Sequence, residues 1–182
     1  MHTRIAFLAS DAGTWRVVSQ TAVSGPALEP ARHIDIVTAN EAAAHAQPVW
    51  RLDGIISNVR YAIRNEVMAL KANSEPLNRP GARHAALIPI KKSAAWWALA
   101  QDERRAIFEE TSHHTALGLK YLPAVARQLY HCRDINQPFD FLTWFEYAPE
   151  HANDFEELVR SLRATLEWTY VEREIDIRLE RD

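Results

Sequence analysis

Two stretches in the second half of this chain alternate with a period of two, a pattern that fits only a β-strand with one buried face. In Phe139–Tyr147 (FDFLTWFEY), Phe139, Phe141, Thr143, Phe145 and Tyr147 share a face. In Thr169–Leu179, Val171, Ile175, Ile177 and Leu179 face one way, with Arg173 interrupting, and Glu172, Glu174, Asp176 and Arg178 face the other. Between them Asp154–Leu166 has helical spacing, with Phe155, Leu158, Val159 and Leu162 on its inner side. His84–Lys91 (HAALIPIK) reads as an apolar strand, and Pro89 points to an edge or a bulge. Ser93 suits the N-cap of a helix through Trp96 and Trp97. Further helices are expected over Asp102–Glu110 and from Thr111 or Ser112 to Leu119. Pro123 disfavours helical geometry at Leu122, so a kink is expected there, or a new helix with Pro123 in its first turn.

From about residue 84 the order is therefore strand, helices, strand, helix, strand. That order gives an α+β layer, an antiparallel sheet with helices on one face. The first half repeats the pattern in shorter form. Ile5–Ala9, Trp15–Gln20, His33–Thr38 and Val49–Val59 read as strands, and Tyr61–Ala72 as a helix. Ala39–Gln47 is read as a surface excursion, and Asn73–Gly81 as a loop. The expectation is two ferredoxin-like halves packed into one body: a shortened N-terminal half over residues 1–83 and a C-terminal half over residues 84–182.

Composition removes several classes of function. The 21 basic and 24 acidic residues leave a charge of −3 with no Lys/Arg-rich tract, so a nucleic-acid partner is not expected. No apolar run reaches the ~18 residues of a membrane helix. The start carries no signal-peptide pattern, and a cytoplasmic location is expected. The single cysteine, Cys132, excludes an intrachain disulfide framework and a zinc-finger or iron–sulfur ligand set. Six Trp and eight His suit a flat apolar cofactor with a ligated metal, and equally suit an ordinary core.

Four places could carry chemistry. His113 and His114 point about 100° apart on a helix, so at most one faces inward. They are either surface histidines or include an axial ligand of a haem iron. Arg127 is either a solvated helix arginine or a buried cation needing an anion; Val125, Ala126 and Leu129 around it favour partial burial. On an unbroken helix it could not converge with His114, but a break at Pro123 lets the two approach opposite faces of a flat cofactor. Lys92 and Trp96 at i,i+4 could together grip a carboxylate such as a haem propionate, or could form an interface. Glu167, at the end of the Asp154–Leu166 helix, opposes the helix dipole. It is either an exposed helix-end residue or the partner of a metal-bound histidine's second nitrogen.

Taken together, KKSAAWW, the HH before ALGLKYLPAVARQLYH, FDFLTWFEY and LEWTYVEREIDIRL resemble the haem-binding half of the chlorite dismutase superfamily, over about residues 84–179. The short first half is similar to the compact lineage, whose members form homodimers. The resemblance implies a dimeric α+β barrel of ferredoxin-like units holding haem b. It implies His114 as the proximal iron ligand, five-coordinate, with Glu167 accepting its Nδ1–H, and Arg127 as the distal catalytic arginine. It further implies Lys92, Trp96, Tyr61 and Asn58 as propionate anchors, and Leu129, Thr143 and Phe145 as lining of the distal pocket. His113 has no role in it. The implied activity is conversion of the small anion chlorite to chloride and dioxygen with O–O bond formation, with no membrane partner. Coproheme decarboxylation and haem carriage are the alternatives. Coproheme decarboxylases typically have glutamine at the position of Arg127 and a reactive tyrosine, so Arg127 favours chlorite.

Overall fold

In a computed structural model describing residues 3–45, 47–56 and 59–182, the alternating segments are strands and every strand pairing is antiparallel. The first half supplies β1 (Arg4–Ser10), β2 (Trp15–Ser24), β3 (His33–Thr38), β4 (Trp50–Ile55) and helix α1 (Arg64–Asn73). The second supplies β5 (His84–Lys92), short helices α2 (Ala94–Ala98), α3 (Gln101–Arg105) and α4 (His114–Leu119), and then β6 (Ala126–His131) and β7 (Phe141–Tyr147). It ends with α5 (Ala152–Arg163) and β8 (Val171–Glu180). The strands close into a barrel in the order β1-β3-β2-β8-β5-β7-β6-β4. Each half contributes the same local order: β4-β1-β3-β2 in the first, β8-β5-β7-β6 in the second. The halves join through an extended β2–β8 ladder and a minimal β4–β6 contact at Ile55 and His131.

The alternating side chains divide between two cores. Inside the barrel, Phe7, Trp15, Ile34, Leu52, Trp144, Ile175 and Ile177 pack together, with Trp15 and Trp144 edge to face at 5.3 Å. Outside it, Ile88, Phe145 and Tyr147 meet Phe155, Leu158, Val159 and Leu162, the predicted inner side of α5. Gly54 allows β4 to pass close over β6, because a Cβ there would fall 2.6 Å from that of Tyr130. Among the described residues, no helix is long and apolar enough to cross a membrane.

Several expectations need correction. The segment after Pro123 is strand β6, not a helix: its backbone groups pair with β7 from Ala126–Glu146 to His131–Phe141. Arg127 is therefore a strand residue. Pro89 lies in the interior of β5, which pairs with β7 on one side and β8 on the other. Ile88 and Pro89 are skipped in the β8 pairing while the register holds, so the missing N–H is tolerated there. The Asp102–Glu110 helix is α3 followed by a wide π-type turn over Ala106–Thr111. α5 ends at Arg163, and Glu167 sits beyond it in a 3₁₀ turn, Leu166–Tyr170, so it does not oppose the α5 dipole. In the Ala39–Gln47 excursion, Glu41–Ala44 forms a 3₁₀ turn that buries Ala42.

Candidate functional site

The outer face of the β6–β7 ladder forms one wall of a cavity. Directly opposed residues of an antiparallel pair share a face, so Arg127 and Phe145, Leu129 and Thr143, and His131 and Phe141 stand side by side on it. The facing wall comes from α4 and α5 and the turns around them, through His114, Gly118, Leu158, Leu162, Phe108 and Trp168. The cavity's lining is mainly apolar, as in a site for a flat, apolar ligand.

His114 is held by three local devices. His113, exposed and in the left-handed conformation (φ 51°), ends the π-type turn and starts α4. The buried Glu109 carboxylate then accepts the backbone N–H of Thr115 at 2.6 Å and of Ala116 at 3.3 Å, satisfying two orphan donors of the first turn. The imidazole itself stacks on Phe108 at 4.3 Å, with Trp168 in parallel at 6.5 Å.

Behind the imidazole runs a chain of buried charges. His114 Nδ1 is 2.6 Å from Glu167 Oε2, and Lys92 Nζ donates to Glu167 Oε1 at 2.7 Å. Glu167 is 4% and Lys92 5% exposed. Ser112 Oγ accepts the Glu167 backbone N–H at 3.0 Å and ties its turn to that of His114. Burial disfavours the Glu167 carboxylate, but His114 and Lys92 outweigh it and hold its pKa at about 2. Burial lowers the pKa of Lys92, and Glu167 counters it. The Lys92 ammonium also lies 4.6 Å from the Trp96 ring centre. Glu167 accepts the Nδ1–H of the ring, and in the neutral imidazole this leaves Nε2 as the free lone pair, the arrangement that suits a metal-ligating histidine.

Lys92 was expected to grip a propionate together with Trp96. It does line the cavity, but its ammonium is engaged with Glu167. Trp96 is buried, and its indole Nε1 has no hydrogen-bond partner among the described residues. Such an orphaned donor in a cavity wall is what a ligand carboxylate would satisfy. Tyr61 meets Trp96 edge to face at 5.9 Å and has a left-handed backbone (φ 61°). Arg105 supports that conformation by donating to the Tyr61 carbonyl while pairing with Glu66 at 2.6 Å. Asn58 lies outside the described residues. The Arg127 guanidinium forms no hydrogen bond or ion pair with any described residue; burial lowers its pKa, yet it keeps its proton. Leu129, Thr143 and Phe145 line the same space.

His131 was missed. Read as a strand, Arg127-x-Leu129-x-His131 would have placed all three on one face. Its ring is buried, and burial, with the nearby Arg60 charge, pushes its pKa down to about 4. Above pH ~6.5 it is neutral whether folded or unfolded. As the pH falls, the unfolded chain takes up the proton first, so stability is lost between about 6.5 and 4. Urea unfolding of the unliganded protein should show wild type losing about 2 kcal/mol relative to His131→Phe between pH 7 and 5. Parallel profiles would mean that the ring protonates freely in the folded state.

Comparison with known proteins follows the same lines. Residues 31–180 match the family model described as chlorite dismutase. The chain is 57% identical to a crystal structure of dimeric chlorite dismutases from Nitrobacter winogradskyi, with a TM-score of 0.89, covering 97% of this chain and 99% of that one. A mutant chlorite dismutase from Candidatus Nitrospira defluvii, 23% identical with a TM-score of 0.72 over 99% of this chain and 91% of that one, shares the fold. A chlorite dismutase of Ideonella dechloratans is 41% identical over 64 residues, which span 35% of this chain and 21% of that protein.

Proposed function

This chain belongs to the chlorite dismutase family, and from that membership we propose that it is a haem b enzyme converting chlorite to chloride and dioxygen. One observation carries the reading: the His114–Glu167–Lys92 chain and the Arg127 guanidinium, which has no side-chain partner among the described residues, face the same largely apolar cavity. The residues fit the cofactor. His114 would be its single protein ligand, and the orphaned Trp96 Nε1, with Tyr61, would take a propionate. Asn58 joins the anchors by resemblance alone. Leu129, Thr143 and Phe145 would form the apolar wall of the substrate side. We read residues 1–83 and 84–182 as two ferredoxin-like units, the first shortened; what supports this is their shared strand order.

The iron porphyrin, when bound, supplies the oxygen-atom chemistry and the O–O bond formation that no protein side chain can perform. The protein's share is electrostatic. Glu167, kept ionised by Lys92, keeps the His114 proton on Nδ1 and makes the imidazole more electron-donating. Lys92 thus supports the ligand from behind instead of anchoring a propionate. Arg127 attracts the anion and offers a fixed positive charge. It cannot switch as an acid or base, because it does not give up its proton. The apolar surround strengthens that charge by excluding water.

The unpartnered arginine favours chlorite over coproheme decarboxylation or simple carriage. Support for a homodimer is the 57% identical relative described as dimeric. Cys132, free and buried, suits a reducing cytoplasm. Titration of haem into the purified protein tests the cofactor directly. One equivalent should bind, with the absorption spectrum of five-coordinate histidine-ligated ferric haem. Failure to bind, or a spectrum without histidine ligation, would overturn the assignment.

A further inference from the structure

Among the described residues, two of the buried polar side-chain atoms without a hydrogen-bond partner belong to residues lining this one cavity: Trp96 Nε1 and His131 Nδ1. The second belongs to a residue that the reading above leaves without a role. His131 is 8% exposed and lies at the end of β6, paired across the barrel seam with Ile55. Its ring meets Phe141 edge to face at 5.4 Å, and Phe141 stacks on Trp97, next to Trp96 in α2. His131, Trp96 and Tyr61 line the same cavity.

The chemistry of the ring can be narrowed further. Nδ1 has no acceptor among the described residues, so a proton there would be an unpaired buried donor. The neutral ring places its one N–H on Nε2 instead. A neutral imidazole N–H is a donor for an anionic oxygen. His131 and Arg127 are four residues apart on one strand, about 13 Å along its axis. A larger ligand with acidic groups on its rim can supply that acceptor while leaving Arg127 to a small anion. Haem b carries two carboxylates, and the cavity presents the buried Trp96 N–H and the His131 ring, which among the described residues has no partner at Nδ1.

We propose that His131 is a hydrogen-bond donor to a carboxylate side chain of the bound porphyrin, complementing Trp96. This rests on the haem reading above. Arg60, which lines the same part of the cavity, adds positive charge beside the ring although it is bridged to Asp134 at 3.3 Å.

The test compares haem b with its dimethyl ester, which has the same ring and iron but no free carboxylates. Dissociation constants are measured by Soret titration for wild type, His131→Phe and His131→Gln. The phenylalanine variant should bind haem b about tenfold more weakly and the ester as wild type does. Glutamine, which keeps an N–H donor, should recover most of the loss. Equal weakening with both porphyrins would reduce His131 to a shape-filling residue and overturn the proposal. Unchanged haem b affinity would overturn it too. So would a variant that binds haem b normally but loses affinity for cyanide or fluoride at the iron, because His131 would then serve the small anion. Wild type that takes up neither porphyrin would overturn the haem reading itself, so the two failures are distinguishable.

Discussion

His114→Ala should lose haem affinity by more than the about 10–100-fold that removal of a metal ligand's outer partner costs. Any haem that still binds should lack the histidine-ligated spectrum. The expectation rests on how much of the structure serves this one ring. Glu109 caps the helix that begins with it, Phe108 and Trp168 flank it, and Glu167 fixes its proton. The substitution also takes one of two side-chain partners from a buried carboxylate, at a cost of about 1.5–3 kcal/mol in the unliganded protein. Ligand loss must therefore be separated from loss of structure. Added imidazole should occupy the space and restore the spectrum, because Glu167 and Lys92 remain in place. A variant with an unaltered Soret spectrum would mean that another residue holds the iron.

Arg127→Ala should leave haem affinity unchanged and lower kcat/KM for chlorite by about tenfold to a hundredfold, the worth of one charge-assisted contact of about 1.5–3 kcal/mol. The argument is one of isolation. Many of the structure's other arginines are spent on carboxylates or carbonyls: Arg163 on Glu174 and Asp176, Arg178 on Asp176 and Glu156, Arg104 on three backbone carbonyls. Arg127 has none of these partners among the described residues and opens on an apolar cavity, where a charge acts at longer range than in water. Arg127→Lys should fall between alanine and wild type, since it keeps the charge without the planar fork. Stopped-flow and oxygen-electrode measurements give kcat, KM and the number of turnovers before inactivation. If all three are unchanged in the alanine variant, Arg127 has no part in the reaction.

The fold and the site were legible to different depths, for physical reasons. β7, β8 and α5 could be read directly because each keeps the period of its element. The period does not report burial in the strands: both faces of β7 are buried, Trp144 inside the barrel and Phe145 and Tyr147 outside, and so are Glu174 and Asp176 of β8. β6 could not be read this way. Ala126–His131 has helix-tolerant composition and follows a proline, and its extended state is decided by pairing with β7, a partner distant in sequence. That error put Arg127 on a helix and hid His131, since only a two-residue period places both on one wall. After Ser93 a helix restart was expected at Thr111 or Ser112; α4 begins at His114 instead, where Glu109 turns inward to cap it. Lys92 is a subtler case. Its spacing with Trp96 suggested a joint grip, and the two are in contact. What the spacing could not show is Glu167 arriving from 75 residues away to claim the ammonium.

The most direct test of the account is to supply chlorite to the haem-loaded wild-type protein in an oxygen electrode while following chloride. One dioxygen and one chloride should appear for each chlorite consumed, with release that scales with haem occupancy. Chlorite consumption without dioxygen, or no consumption by fully loaded protein, would contradict it.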